Sequence, residues 1–244
     1  MANFLLVHGA WHGAWCWRRV LPLLQQVGHR VHAVTLTGVG ERAHLLQPNI
    51  DLETHITDVM AAMDAEEMDQ VVLVVHSYAG MLGTAVADRR PERLQHLVYL
   101  DAVLPAPGES WSSTHAPDTR EARIAATRAD PQHSFPAPDP AIFGLSGEDH
   151  AWVARRQTRH PGGPYTQALD FDPRRVASVP RTFIHCTQPP LATIDVSRRR
   201  MVDPAFWDGV WLPGSHVVEM TTGHDPMVSD PEGLARILLA LPRT

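Results

Sequence analysis

The chain has 244 residues, 27 acidic against 21 basic side chains, a formal net charge of −6, and 44% hydrophobic and 20% charged residues. Those proportions exclude a disordered or fibrous chain. The acidic balance excludes nucleic acid as the natural partner, because the one compact basic run, Arg198-Arg199-Arg200, reads as the decoration of a helix.

The first fifteen residues are apolar, but no basic leader precedes them, and His8, Gly9 and His12 interrupt the run. They read as a strand and its following loop rather than a targeting segment. Nothing downstream approaches the roughly 18 apolar residues of a membrane helix, so a soluble protein with no membrane partner is expected. Cys16 and Cys186 lie far apart in apolar surroundings and read as two buried thiols, which fits a cytoplasmic location.

Short apolar runs then alternate with longer amphipathic stretches. Asn3 to Val7, Arg30 to Thr35, Gln70 to Val75, Leu94 to Leu100 and Thr182 to Cys186 are predicted strands. Trp15 to Val27, Leu52 to Met68 and Tyr78 to Arg89 are predicted helices. Such alternation predicts an α/β fold, a mostly parallel sheet with helices on both faces, whose ligands gather at the strand C-termini. From Leu104 to Val179 prolines and aromatics replace this pattern. We read residues 104–179 as an inserted lid, or else a surface excursion with no role in binding, between core segments 1–103 and 180–244. A last strand near Val217 to Met220 leads through Gly223-His224 to a closing helix, Pro231 to Leu241.

The segment Val71 to Met81 carries an apolar strand into Ser77 and then into a helix rich in small residues. That is the pattern of a nucleophile elbow, where a sharp turn lifts the serine over the sheet edge. Val75 and Ala79 stand where the pattern usually has glycine, so a serine without a catalytic role stays open. His8-Gly9-Ala10-Trp11 follows the first strand, where one backbone donor of an oxyanion hole belongs, and Ala10 and Tyr78 are the expected donors. His8 and His12 sit at a strand end rather than on a helix, so no metal pair is expected. His224, late in the chain and before the last helix, is the expected general base, with His216 its rival.

Three segments together, Val7 to Trp17, the Ser77 elbow and Gly223-His224-Asp225-Pro226-Met227, resemble the plant methylesterase and hydroxynitrile lyase group of α/β-hydrolases and its bacterial relatives. The resemblance covers nearly the whole chain. It implies a serine, histidine and aspartate triad with Ser77 and His224, an oxyanion hole at Ala10 and Tyr78, no cofactor, and a small-molecule ester substrate. The lyases carry a threonine where this chain has Gly9 and a lysine where it has Asp225, which favours ester hydrolysis. Lyase or cofactor-free oxygenase chemistry, or ligand binding without turnover, are the alternatives on the same scaffold. The family's usual aspartate position beyond Cys186 is vacant here. Asp101, 24 residues after Ser77, resembles the acid position of certain haloalkane dehalogenases and is preferred over Asp195. Trp11, Trp111 and Trp152 are the expected substrate-binding aromatics. The oligomeric state is left open, a homodimer included.

Overall fold

The computed structural model describes residues 1–206 and 215–242. Six parallel strands form the central sheet: β1 Asn3–Val7, β2 Arg30–Val34, β3 Val71–His76, β4 Leu94–Leu100, and, beyond the long segment between them, β9 Arg181–Cys186 and β10 Ser215–Met220. Their spatial order is β10-β9-β4-β3-β1-β2. The chain thus builds outward from β1 to β2, then returns to the other side of β1 to lay down β3. That reversal opens a crevice at the C-terminal ends of β1 and β3, the place where open parallel sheets bind ligands. Every residue of β3 is buried, so side chains pointing to either face are covered, as a continuous Val-Val-Leu-Val-Val run demands.

Strand limits differ from the sequence expectations by one or two residues, but the helices differ more. The expected helix from Trp15 to Val27 is a 3-10 helix over Ala14–Arg19 followed by a short α1, Leu21–Gln25. Pro22 is the cause, because it has no N–H to continue the ladder and its ring clashes with the carbonyl four residues back. After β2, helix α2 spans Leu52–Ala65 and starts on a reciprocal cap between Asp51 and Thr54. Helix α3, Gly80–Arg89, begins three residues later than Ser77, after one 3-10 turn.

Residues between β4 and β9 hold four helices, α4 Pro117–Ala129, α5 Gly147–Ala154, α6 Gly163–Thr166 and α7 Pro173–Ala177. They also hold two antiparallel pairs of two-residue strands: β5 Glu109–Ser110 with β8 Ala168–Leu169, and β6 Ser134–Phe135 with β7 His160–Pro161. None of these four joins the main sheet. This segment grips two core loops through the backbone: Thr158 donates to the Trp11 carbonyl at 3.0 Å, and the Phe143 carbonyl accepts from His224 N–H at 2.9 Å. Helix α8, Asp195–Met201, follows β9; α9, Pro226–Ser229, and α10, Pro231–Leu239, close the fold.

Val75, the bulky residue two before Ser77, is fully buried, and its methyl groups occupy the space over Gly83 on α3. A Cβ at Gly83 would stand 2.8 Å from Val75 Cγ2 and 2.9 Å from Cγ1. The missing glycine at the elbow is therefore compensated by one on the facing helix. The core also holds many histidines. Among the described residues nine are buried: His8, His12, His55, His76, His96, His115, His160, His185 and His224. Several are neutral rings with both nitrogens engaged. His8 Nε2 accepts from Leu36 N–H at 3.1 Å while Nδ1–H donates to the Gly9 carbonyl at 2.7 Å. His55 Nε2–H donates to the Thr37 carbonyl at 2.8 Å, so its Nδ1 accepts the Tyr78 hydroxyl at 3.0 Å. Burial pushes His8, His76 and His115 down to about 3 and His96 to about 4.

Gly83→Ala should destabilise the fold by about 1–3 kcal/mol through overpacking, despite the better helix propensity of alanine. Urea denaturation should find most of that loss recovered in Val75→Ala/Gly83→Ala, and strict additivity of the two changes would reject the compensation. The histidines set a pH dependence of stability. Because their folded values lie below 6.5, the unfolded chain takes up protons that the native state refuses, so stability falls as pH drops below about 6.5. Each fully buried ring contributes up to about 1.4 kcal/mol per pH unit there. His12, raised by Asp225, acts in the opposite sense, but it is outnumbered. The urea midpoint should therefore fall from pH 7 to pH 5; a flat or rising midpoint would contradict this role of the buried rings.

Candidate functional site

Ser77 follows the last residue of β3 and takes φ +56°, in the left-handed region that a non-glycine residue occupies at a cost. The turn is held by its own carbonyl, which accepts from Val103 N–H at 2.9 Å. The hydroxyl thus rises off the sheet edge toward the loop after β10, where His224 Nε2 accepts it at 2.9 Å. His224 Nδ1–H donates to Asp101 Oδ2 at 2.7 Å. Asp101 directly follows β4 and also stands at positive φ, +40°, which Asp tolerates better than most side chains. The structure therefore brings Ser77, His224 and Asp101 into one hydrogen-bonded line. His216, the rival base, is exposed on β10.

Asp101 has no access to water. Burial pushes its carboxyl upward, but the hydrogen bond from His224 and the charge and hydrogen bonds of Arg198 outweigh that and hold it below the ordinary aspartate range. Arg198 Nη2 lies 2.8 Å from Oδ1 and 3.0 Å from Oδ2, and Cys186 N–H donates to Oδ1 at 3.2 Å. Asp195 is not on the histidine. It is half exposed and bonds Arg198 Nη1 at 2.8 Å, so it steadies the arginine that steadies Asp101. The basic run read as helix decoration is corrected accordingly: Arg198 reaches into the site, and Arg200 pairs with Glu109 at 2.6 Å. The sequence carries one local hint of this, the i,i+3 spacing of Asp195 and Arg198; the partner of that pair, Asp101, lies 97 positions away.

A second buried charge lies behind His224. Asp225 points away from the serine and meets His12 Nε2 at 3.1 Å, with His76 Nε2 3.6 Å from its other oxygen. Burial alone would raise Asp225, but the charge and hydrogen bond of His12 hold it at about 2. His76 Nε2–H donates to the His224 carbonyl at 2.8 Å, so this pair braces the backbone of the base from behind. His76, His224 and Asp225 are the one group of metal-ligand type found among the described residues. They do not suit a metal, because both His224 nitrogens are engaged by Ser77 and Asp101 and His76 Nε2 is engaged by a carbonyl.

Ala10 follows β1 beside the serine. Tyr78, the residue after Ser77, stands in the first turn of the 3-10 segment, where backbone N–H groups lack an acceptor within the helix. Gly9 makes this approach feasible, since a Cβ there would come within 2.7 Å of Ser77 Cβ and 2.9 Å of His76 Nδ1. Trp11 and Trp111 belong to one ring cluster with Tyr78, Phe135, Phe143 and His160, which reaches the base candidate through Phe143: ring centroids are 4.8 Å apart for Tyr78 and Trp111, and 5.5 Å for Phe143 and His224. Trp152 is placed elsewhere. It packs edge-on to Trp15 at 5.1 Å between Arg19 and Arg156, because on α5 it is the neighbouring Val153 that turns inward.

Residues 4–237 match the model of the alpha/beta hydrolase family. The chain is 40% identical over 249 residues to the carbendazim hydrolyzing esterase of Nocardioides sp. (strain SG-4G), covering 99% of this chain and 100% of that one. It is 30% identical over 268 residues to methylesterase 1 of Arabidopsis thaliana, covering 98% and 95%. Among solved structures, an extracellular alpha/beta-hydrolase from a Paenibacillus species, described as sharing homology with tobacco salicylic acid binding protein 2, superposes over 100% of both chains with a TM-score of 0.83 at 18% identity. With a parallel sheet whose order reverses at β1, a serine on the turn after β3 and a family model spanning nearly its whole length, this chain belongs to the alpha/beta hydrolase family.

Proposed function

We propose that the chain hydrolyses a small carboxylic ester through an acyl-enzyme on Ser77. The observation that carries this reading is the continuous hydrogen-bonded line from Ser77 through His224 to the buried Asp101. Its relatives named as esterases and methylesterases support the same class of reaction.

His224 Nε2 takes the hydroxyl proton as Ser77 Oγ attacks the ester carbonyl. The N–H groups of Ala10 and Tyr78 receive the developing oxyanion, each contributing about 2.7–4 kcal/mol of barrier lowering in such sites. The imidazolium is stabilised by Asp101, whose own charge is secured by Arg198, and it returns the proton to the departing alcohol. Water, activated by the same histidine, then releases the acid. Residues 104–179 act as the lid of this site, with Trp111, Phe135 and Phe143 making its apolar walls and excluding water. Cyanohydrin cleavage is disfavoured. Asp225 stands where the lyases carry lysine, and it is committed to an ion pair with His12.

Wild type should release 4-nitrophenol from short-chain 4-nitrophenyl esters, Ser77→Ala should not, and mass spectrometry should find a serine-directed phosphonate on Ser77. Asp101→Asn should lower kcat by about 10³–10⁴-fold, as loss of the orienting acid does in serine enzymes, while Asp195→Asn stays within about tenfold. The reverse ranking of the two aspartates would sink the assignment, and turnover surviving Ser77→Ala would sink the mechanism.

A further inference from the structure

Arg123 on α4 takes no part in the ester hydrolysis set out above. Its guanidinium lies over four aromatic rings at once: Trp11 at 5.2 Å, Trp111 at 5.4 Å, Tyr165 at 5.4 Å and Phe135 at 5.8 Å. All four rings are buried. Two of them are tied to the site region, since Trp11 follows Ala10 in the chain and Trp111 packs on the ring of Tyr78, the residue after Ser77. From the other side, Phe143 links Trp11 to His224. The cation therefore lies over the same ring cluster that continues through Phe143 to His224.

Among the described residues no carboxylate pairs with it. Its polar neighbours are weak: Nη1 is 3.4–3.5 Å from the two ring nitrogens of His115, and the Tyr165 hydroxyl lies beside it. His115 is kept neutral by burial, and Arg120, one turn earlier, adds a second positive charge near Tyr165. Cation–π attraction offsets part of the cost of burying this charge. Arg123 is half-buried, and its fork of donors matches a planar carboxylate in two parallel bonds. An open groove of ≈ 440 Å³ reaches His115, with Arg120, Arg128 and Glu121 on its walls.

We propose that Arg123 is a carboxylate-binding subsite, so that the preferred substrate is an ester carrying a free carboxylate at the end remote from the scissile bond. This deepens the reading of Ser77 as an ester-cleaving nucleophile and rests on it. The planar fork of the guanidinium favours a planar carboxylate over a tetrahedral phosphate. The hydrocarbon part of the substrate spans from Trp111 back to Ser77.

Two families of probes test it. Mono-4-nitrophenyl esters of straight-chain diacids from succinate to suberate place the carboxylate on the acyl side, and 4-acetoxybenzoate places it on the leaving side. Each is compared with its methyl-capped counterpart, whose carboxylate is masked. At one chain length or on one side, wild type should favour the free acid at least tenfold in kcat/KM. That ratio should collapse to near one in Arg123→Met and stay intermediate in Arg123→Lys, which keeps the charge but not the fork. Because the readout is a ratio within each variant, a partly unfolded preparation does not imitate the result. Calorimetric binding of the free diacids and of 4-hydroxybenzoate to wild type and Arg123→Met separates the two claims. Binding lost with Arg123 but no ester turnover would keep the subsite and reject the hydrolase reading. Turnover without preference for any free acid, a preference unchanged by Arg123→Met, or no binding of any of these anions would overturn the subsite.

Discussion

Asp101 is a carboxylate sealed from water, and the arrangement of half the molecule can be understood as the means of keeping it charged. Moving such a group out of water costs several kcal/mol even after relaxation, so it persists as an anion only where donors converge on it. Here they come from three distant parts of the chain: a backbone N–H at the end of β9, the guanidinium of Arg198 on α8 and the imidazole of His224 after β10. Each donor has to be delivered to the same spot. Parallel strands whose C-terminal ends lie side by side do this, because β4 presents Asp101 next to β9, and β10 is the next strand along. The same anion fixes the tautomer of His224, since a proton on Nδ1 leaves the lone pair on Nε2 to face Ser77.

The His224 loop is then held from two sides by opposite means. In front, Asp101 orients the ring; behind, the His12–Asp225 pair and the bond from His76 to the His224 carbonyl anchor the backbone. The two carboxylates are kept apart in role by what each touches. Asp101 meets an imidazole whose other nitrogen reaches Ser77, whereas Asp225 meets a histidine whose other nitrogen is spent on the Ala10 carbonyl. Only the first can transmit its charge to Ser77. Asp225 adds rigidity, and through His12 it ties that rigidity to the loop after β1.

Much of this is legible in the sequence wherever the cause is local. Apolar runs bounded by turn residues locate the six sheet strands, most plainly β3, where burial on both faces leaves no polar residue before His76 to break the pattern. Ser77 and His224 are legible for a similar reason, as each sits in a short segment whose neighbours shape its own turn. What does not show is long-range. Arg198 looks like one basic residue of a surface run, and only the fold reveals that it reaches the buried Asp101. Trp152 falls outside the expected pocket because a tryptophan in the inserted segment says nothing about which side of its helix faces the crevice. Pro22 does carry the signal for the broken helix after Trp15, since its effect is purely local.

The elbow explains how a local motif can depart from its pattern and still form. Glycines flank such serines because backbones and side chains crowd the turn, and Val75 violates that requirement only when β3 is considered without its partner. The excess volume of Val75 is taken up by the absence of a side chain at Gly83, on the helix that the same turn initiates. Ser77 consequently keeps both its positive φ and its contact with His224. The constraint belongs to the packed pair of strand and helix rather than to either position, so the total volume is what selection of residues has to satisfy. A motif read along the chain samples one half of that sum.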